Sequence, residues 1–490
     1  MPLTSAENNQ PVHIAIVGCG FCGTLTAIHL LKDEDAQLHI HMIDKGPTLA
    51  KGVAFDPHTD NLLLNVPNGR MSAFPDVPDD FMQWLKKNSG PGHQTEILAT
   101  AFSPRQLYGA YLNDLWIDGL NNCGANKKVT VYHNLAVDIT ENGNRLYVQL
   151  ENHPGLTVDA AILATGIDHQ AVPAGVDEEL LKSKHYFGDP WKKQAVKGTD
   201  ATDDILVIGN GLTMVDTVIG LRENGFKQTI HTVSPRGYCL MRWHDDKTPC
   251  AAINWPDIIA QDTSLLNLFK TFNKHRKMAI KQGQSILSAF DSLRPHLQKI
   301  WQSFTLKEQQ QFARYLRSHW GNIRHRLPVK MYDTIDAMRR SGELKTHSGK
   351  ITAIKQGDNK IAVTLGLGTD TVQIMVQRII NCTGPESNII NSGNPLLSNL
   401  ARKGLISPPA NGIGINTDVD SYRVVNTKGQ QSINLFAIGG NIKGMLWEST
   451  AVPELRVQAQ KLAQYISADI TAWRGQGEEA GVISGVKSNK

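Results

Sequence analysis

Gly18-Cys19-Gly20-Phe21-Cys22-Gly23 sets three glycines at the GxGxxG spacing, directly after the apolar run Ile14–Val17. Each glycine has its own task in holding a pyrophosphate. Gly18 permits a tight turn, Gly20 lets the backbone approach the phosphates, and Gly23 lets the next helix pack close to the strand. The helix that starts at Phe21 offers free N–H groups and a positive dipole end to the negative charge. Asp44, with Lys45 beside it, stands about twenty residues on, where a carboxylate takes ribose hydroxyls. A second loop, Gly209-Asn210-Gly211-Leu212-Thr213-Met214, follows Ile205–Ile208 and keeps two of the glycines, with Met214 at the third place. The strand after it ends in Ser234-Pro235-Arg236, without an acid. An acid there repels a 2′-phosphate, whereas Ser234 and Arg236 can bind one, so NADPH is expected over NADH. A surface arginine after a strand is the alternative.

Four other groups could do chemistry. Cys19 and Cys22 form a CxxC, but a disulfide would strain a loop whose small residues admit the phosphates, so no redox pair is expected. The six cysteines are otherwise scattered, and no Cys/His set has zinc-site spacing, so no metal is expected. His185-Tyr186-Phe187-Gly188-Asp189-Pro190-Trp191 lies between the two loops. Its aromatics read as packing anchors, and His185 is a catalytic candidate because a linker crosses near both nucleotides. Arg324-His325-Arg326, with Lys330, is either a solvated charged face or an anion pocket in which Arg324 meets a substrate carboxylate. In Trp447-Glu448-Ser449-Thr450-Ala451-Val452-Pro453-Glu454, Ser449 or Thr450 can cap a helix with Pro453 in its first turn. Such a helix start turns a positive dipole end toward an electron-rich ring.

These groups need a scaffold, and one pattern supplies it twice. The first copy runs from Ile14 through a helix ending at Leu31, amphipathic by its spacing, and a strand ending at Asp44. Strand-like runs near Val129–Ile139 and Leu146–Leu150 lead to Ala161-Ile162-Leu163-Ala164-Thr165-Gly166. The second runs from Ile205 through a strand ending near Ser234 and runs at Ile351–Ile354 and Ile361–Leu365, to Ile379-Ile380-Asn381-Cys382-Thr383-Gly384. Strand, glycine loop, helix, strand, meander, and a strand ending in Thr-Gly define an α/β fold with two Rossmann-like dinucleotide-binding modules. A stretch of helical spacing, rich in Leu, Gln, Lys and Phe, interrupts the second copy. The expected divisions are 1–200 for the first module with its linker, 201–240 and 331–380 for the second, 241–330 for the helical insertion on the substrate side, 381–470 for the return of the first, and 471–490 for a flexible tail.

A length of 490 residues suits two or three domains, and 41% apolar against 20% charged residues can bury sizeable cores. The net charge of +4 gives no footprint for nucleic acid. No apolar run reaches a membrane span, the polar first ten residues do not resemble a secretory signal, and a reduced cytoplasmic protein is expected.

With those residues in hand, the chain resembles the two-dinucleotide-binding flavoproteins, and more narrowly bacterial FAD/NAD(P)-binding proteins related to class B flavin monooxygenases, which include N-hydroxylases. The resemblance rests on Gly18–Gly23, the block Leu64-Asn65-Val66-Pro67-Asn68-Gly69-Arg70-Met71-Ser72-Ala73-Phe74, Gly209–Asp216, Cys382-Thr383-Gly384-Pro385 and Leu446–Arg456. It implies FAD in the first module and NADPH in the second. Asn65 to Ser72, with Met71, would approach the isoalloxazine, and Asn65 is a catalytic candidate. Val137 would contact adenine through its backbone, Gly439 and Gly440 would meet the pyrophosphate–ribityl region, and Asn441 stands near where relatives carry an Asp. The linker departs from the monooxygenase fingerprint FxGxxxHxxxW, because His185 precedes Phe187-Gly188. The implied activity is an NADPH-dependent FAD monooxygenase that uses O2 to oxygenate a small, anionic molecule, N-hydroxylation of an amine or amino acid being one form. The alternatives are a flavin reductase with another electron acceptor and a non-catalytic FAD/NADP(H)-sensing protein.

Overall fold

The computed structural model describes residues 10–482 except 58, 60, 89–97, 167–169, 174, 175, 177, 200–203, 244–246, 358 and 359, with side chains described to residue 470. In chain order the strands are β1 (Val12–Val17), β2 (Leu38–Asp44), β3 (Lys127–His133), β4 (Ala136–Asn142), β5 (Arg145–Leu150), β6 (Leu156–Val158), β7 (Ala160–Leu163), β8 (Tyr186–Phe187) and β9 (Ile205–Ile208). They continue as β10 (Ile230–Ser234), β11 (Leu344–Ser348), β12 (Lys350–Gln356), β13 (Ile361–Leu367), β14 (Asp370–Val376), β15 (Arg378–Asn381), β16 (Arg423–Val425) and β17 (Gln431–Ala437). One sheet has the order β16-β17-β7-β1-β2-β3, the other β11-β10-β9-β15-β8. Each carries an antiparallel three-stranded meander, β4-β5-β6 and β12-β13-β14. Both large sheets are parallel at their centres. A parallel sheet is buried on both faces, and the near-continuous apolar runs of β1, β7 and β9 satisfy that demand.

Four local expectations change. The helix Phe21–Leu31 is buried almost all round rather than amphipathic, because the helices Arg105–Asn121 and Val452–Val482 cover its outer side. The run Val129–Ile139 is two strands in different sheets. Asn134 breaks it, its N–H donating to the Asp44 carbonyl while its Oδ1 accepts from Leu135 N. The helix Val452–Val482 continues past residue 471, anchored in the first core by Leu455, Leu462, Ile466 and Ile470, and residues 483–490 lie outside the described residues. Tyr186–Phe187 leaves the linker to become the edge strand β8.

The helices Trp255–Gln261, Leu265–Lys281, Leu287–Asp291, Leu297–Ser303, Leu306–Gln311 and Arg317–Arg324 fill the connection between β10 and β11. Their core gathers Trp255, Ile300, Trp301 and Phe312 together with Trp447, which belongs to the return of the first module. Two ends are capped: Ser264 accepts from Asn267 N, and Thr305 forms a capping box with Glu308. The helix Val329–Ser341 then packs Met331, Ile335 and Met338 on the second sheet's core.

One buried ion pair pins the two modules. Arg105, on the helix Arg105–Asn121, lies 2.9 Å from a carboxylate oxygen of Asp216 on Leu212–Glu223, the helix behind the second glycine loop. The side chains are 10% and 2% exposed. Burial pushes the Asp216 carboxyl up to about 6 despite the guanidinium, so desolvation outweighs the attraction. Such a pair specifies an arrangement more than it stabilises it. Arg105→Met should therefore cost about 3–5 kcal/mol by stranding a buried carboxylate, and Arg105→Met with Asp216→Leu should return to within about 1 kcal/mol of wild type. Denaturant melts of the four proteins give this cycle; a double variant as unstable as the single one would contradict it.

Candidate nucleotide and flavin site

The glycines of the two loops separate by what a side chain would meet. A Cβ on Gly18 would lie 2.4 Å from the Ala164 carbonyl oxygen, on Gly23 2.0 Å from the Gly18 oxygen, and on Gly209 2.3 Å from the Cys382 oxygen. These glycines serve the packing of strand, loop and helix. Gly20 is different: the nearest atom to its Cβ would be Gly52 Cα at 3.6 Å, and its φ is an ordinary −73°. Gly211 would meet nothing within 4 Å, at φ −86°. No protein contact requires glycine at either place, so both are open where a pyrophosphate approaches the backbone, each as the N-cap of a helix following a parallel strand. Met214, in the third glycine's place, is fully buried in the second core.

Asp44 ends β2, and its carboxylate accepts from Cys19 N at 2.7 Å and Gly46 N at 2.8 Å. It orders the glycine loop, and a carboxylate's remaining lone pairs still suit ribose hydroxyls. Lys45 is exposed. Cys19 and Cys22 are free thiols; burial raises Cys19 far above its usual value, the Asp44 carboxylate adding to this, and pushes Cys22 up to about 12. Neither is a thiolate near neutral pH.

Asn65 is half-buried, and Met71 is packed in the first core. Ser72 is fully buried, and its hydroxyl lies 3.0 and 2.6 Å from the Phe74 and Val77 carbonyls. Val137 sits where the β4–β5 register shifts, with its carbonyl already accepting from Asn399 Nδ2 at 2.9 Å. Thr165 and Gly166 leave β7, and Gly439, Gly440 and Asn441 form the turn after β17. Asn441 Nδ2 donates to Thr165 Oγ1 at 2.9 Å, joining the two strand ends. A cavity of about 610 Å³ opens there, lined by Gly166, Gly440, Asn441 and Lys443 and, beyond β15, by Pro385 and Glu386. In the second module Thr383 Oγ1 donates to Asn381 Oδ1 at 2.8 Å, and Gly384 has φ +94°. Leu212 and Thr213 open the helix after Gly211, Ser234 Oγ accepts from Gly237 N, and Arg236 makes one long contact, 3.4 Å to the Tyr315 carbonyl.

Beside the cavity lies a group of buried charges. Glu448, at φ +70° and 4% exposed, accepts from Trp320 Nε1 at 2.7 Å and pairs with Arg324 at 3.3 Å. Burial alone would raise its carboxyl, but Arg324, His325, the Trp320 N–H and Lys443 together hold it below the usual glutamate range. Ser449 is fully buried and accepts from Gln458 Nε2 at 2.9 Å, and the helix with Pro453 in its first turn begins at Val452. Lys443 Nζ stands 4.8 Å from the centre of the Trp447 ring.

Two catalytic candidates change meaning. His185 lies before β8 and bonds the Gln377 carbonyl at 2.8 Å, next to the N-terminal end of β15, whereas both glycine loops lie at C-terminal strand ends. It is a strand-edge anchor. Arg324 is committed to Glu448, and Arg326 to Asp291 through two bonds of 3.1 and 2.6 Å. Burial pushes His325 down against the pull of Glu448, and Lys330 is exposed on the next helix. Both arginines of the run thus already have a carboxylate partner. Sequence spacing also missed a histidine group: His13 on β1 and His39 and His41 on β2 bring ring nitrogens within 4.8 Å of one another, close enough to share a metal ion. Strand pairing assembles them, and His-x-His opposite another histidine was the available signal.

Residues 15–168 match the family model described as FAD-NAD(P)-binding. No curated protein matches the chain by sequence. Among solved structures, L-lysine 6-monooxygenase from Pseudomonas syringae superposes with a TM-score of 0.63 at 17% identity, covering 94% of this chain and 99% of that one. Ornithine N-hydroxylase from Kutzneria sp. 744, solved with reduced FAD, NADP+ and L-ornithine, gives 0.62 at 14% identity over 94% and 99%. Bacillithiol disulfide reductase from Staphylococcus aureus gives 0.54 at 11% identity over the same shares, 94% and 99%. The chain thus has the fold of the two-dinucleotide-binding flavoproteins over nearly its whole length, and its first module is of the FAD-NAD(P)-binding type.

The glycine geometry separates folding from binding. Gly20→Val should fold and melt like flavin-free wild type but purify without flavin absorbance, whereas Gly23→Val should fail to fold. A yellow Gly20→Val protein with normal FAD affinity would overturn the site.

Proposed function

We propose that this protein is an FAD-dependent oxidoreductase that takes its electrons from NADPH, and within that class a monooxygenase acting on a small molecule with O2. The observation that carries the reading is the pair of open cradles at Gly20 and Gly211, each at the C-terminal end of a parallel sheet, with the 610 Å³ cavity between the strand ends of the two modules. When bound, FAD supplies the redox and oxygen chemistry. The chain supplies orientation: two helix N-termini for the pyrophosphates, Asp44 for a ribose, and Ser234 with Arg236, at a strand end that carries no acid in its sequence, for a 2′-phosphate.

The fold also accommodates a reductase with another electron acceptor, as the disulfide-reductase neighbour illustrates. Against a disulfide acceptor stands the CxxC at Cys19 and Cys22, whose thiols burial holds protonated. Monooxygenation is the reading we favour because the helical insertion docks against the return of the first module beside the cavity, where it can shield chemistry at a flavin from water. The substrate's negative charge is not part of the proposal, since Arg324 and Arg326 already have carboxylate partners.

Steady NADPH oxidation with matching oxygen uptake distinguishes an enzyme of this kind from a sensor, which would bind both nucleotides without turnover. A charge-assisted contact is worth roughly 1.5–3 kcal/mol. Arg236→Ala should therefore raise the KM for NADPH about ten- to a hundredfold and leave NADH almost unchanged. Equal effects on the two nucleotides would remove the 2′-phosphate role.

A further inference from the structure

The helical insertion lines a second cavity of about 830 Å³, part of it open to solvent. Its walls include Phe272, Phe290, Trp301, Phe312, Trp320 and Trp447, and every lining side chain is apolar or aromatic except His319. The rings are locked against one another: Trp301 and Trp447 have centroids 4.7 Å apart, Phe312 and Trp447 5.2 Å, and Phe290 and Trp320 4.6 Å. The polar atoms of the wall are turned to the protein. Trp255 Nε1 donates to Ser292 Oγ, Trp301 Nε1 to the Gly444 carbonyl and Trp320 Nε1 to Glu448, while His319 lies against the Tyr238 hydroxyl. Trp447 differs: its buried indole N–H has no hydrogen-bond partner among the described residues. A well-packed core closes a space of this size, because an apolar void forfeits contacts on every side.

Position links this space to the flavin site. Trp447 forms part of its wall, while Lys443, which lines the first cavity, stands over the Trp447 ring. The two cavities are neighbours with Trp447 between them. Phe269, 45% exposed, stands at the mouth of the second.

We infer that the cavity of the insertion is the substrate pocket, and that it takes a neutral, largely apolar molecule with an aromatic or fused-ring body rather than a charged amino acid. This rests on the monooxygenase reading. A carboxylate or ammonium group would meet no counter-charge in the wall and would lose its hydration, a cost of several kcal/mol. A flat apolar body instead replaces the missing contacts and stacks on rings held in place. A single hydrogen-bond acceptor on it would suit the Trp447 N–H.

The test uses the oxidised holoenzyme and three probes: indole, 2-naphthol and L-ornithine. Binding is read by calorimetry and by quenching of tryptophan fluorescence, without turnover; NADPH oxidation and product mass are read separately. Expected is saturable binding of 2-naphthol and indole with no binding of L-ornithine. Ile323→Trp, which fills the cavity from its wall, should weaken 2-naphthol binding about tenfold or more, with FAD content and NADPH-driven flavin reduction unchanged. If Ile323→Trp does not fold, Leu316→Trp and Phe272→Trp fill the space from other helices. L-ornithine binding, or 2-naphthol binding unmoved by a folded filling variant, overturns the pocket assignment whatever the enzyme does. Binding that responds to the filling variants, in a protein that never oxygenates an apolar molecule, upholds the pocket and sinks the monooxygenase reading instead.

Discussion

A carboxylate buried at Glu448 must be neutralised, and the way the chain does so sets the relation between its parts. The residue sits at positive φ in the segment that returns to the first module, so its side chain is aimed by a strained backbone. Its partners, Trp320 and Arg324, come from the last helix of the insertion. Removing the insertion from this surface would strand a buried charge, a penalty of about 3–5 kcal/mol. Other contacts follow the same line: Arg294 grips Glu454 through two bonds of 2.8 and 2.9 Å, Trp301 reaches the Gly444 carbonyl, and Asn411 joins Gln309 to the same carbonyl. An insertion that belongs by sequence to the second module is thereby fastened to the first.

That attachment has chemical consequences. It brings Trp447 into the insertion's core, so an apolar cavity and the flavin-side cavity share a neighbour. It also brings Tyr315 and His319 to Arg236 and Tyr238, at the edge of the second module. The Arg105–Asp216 pair fixes the modules to each other in the same manner, one carboxylate and one arginine in a site that water does not reach. Both pairs cost desolvation, and what they supply is a defined arrangement of three parts around the strand ends.

Local rules made much of this legible. The alternation of strand, glycine loop and helix located β1, β2, β9 and β10, with β2 ending at Asp44 and β10 at Ser234 as the sequence indicated. Those features depend on residues close in the chain, where turn sterics and apolar periodicity act. The group around Glu448 was less legible because its logic is long-range. Arg324 looked like a free cation until Glu448 became its neighbour; Trp320, in the same group, is 128 positions from Glu448. His185 looked central because it lies between the modules in sequence, but strand β8 carries it to the other end of the sheet. The cavity of the insertion was invisible in the same way, since a helical stretch rich in Leu and Phe reads as core until the rings are seen to leave a space.

The central claim is that electrons from NADPH reach a flavin lying beside an apolar pocket, where O2 is divided between substrate and water. The most direct measurement is oxygen-18 tracing: the holoenzyme is turned over with NADPH under labelled O2 in the presence of an apolar compound selected by binding, and product mass is compared with NADPH consumed. Expected is a product carrying one labelled oxygen atom, with one NADPH oxidised for each product formed. Unlabelled product, or NADPH consumption in which the oxygen is recovered wholly as hydrogen peroxide, would contradict it.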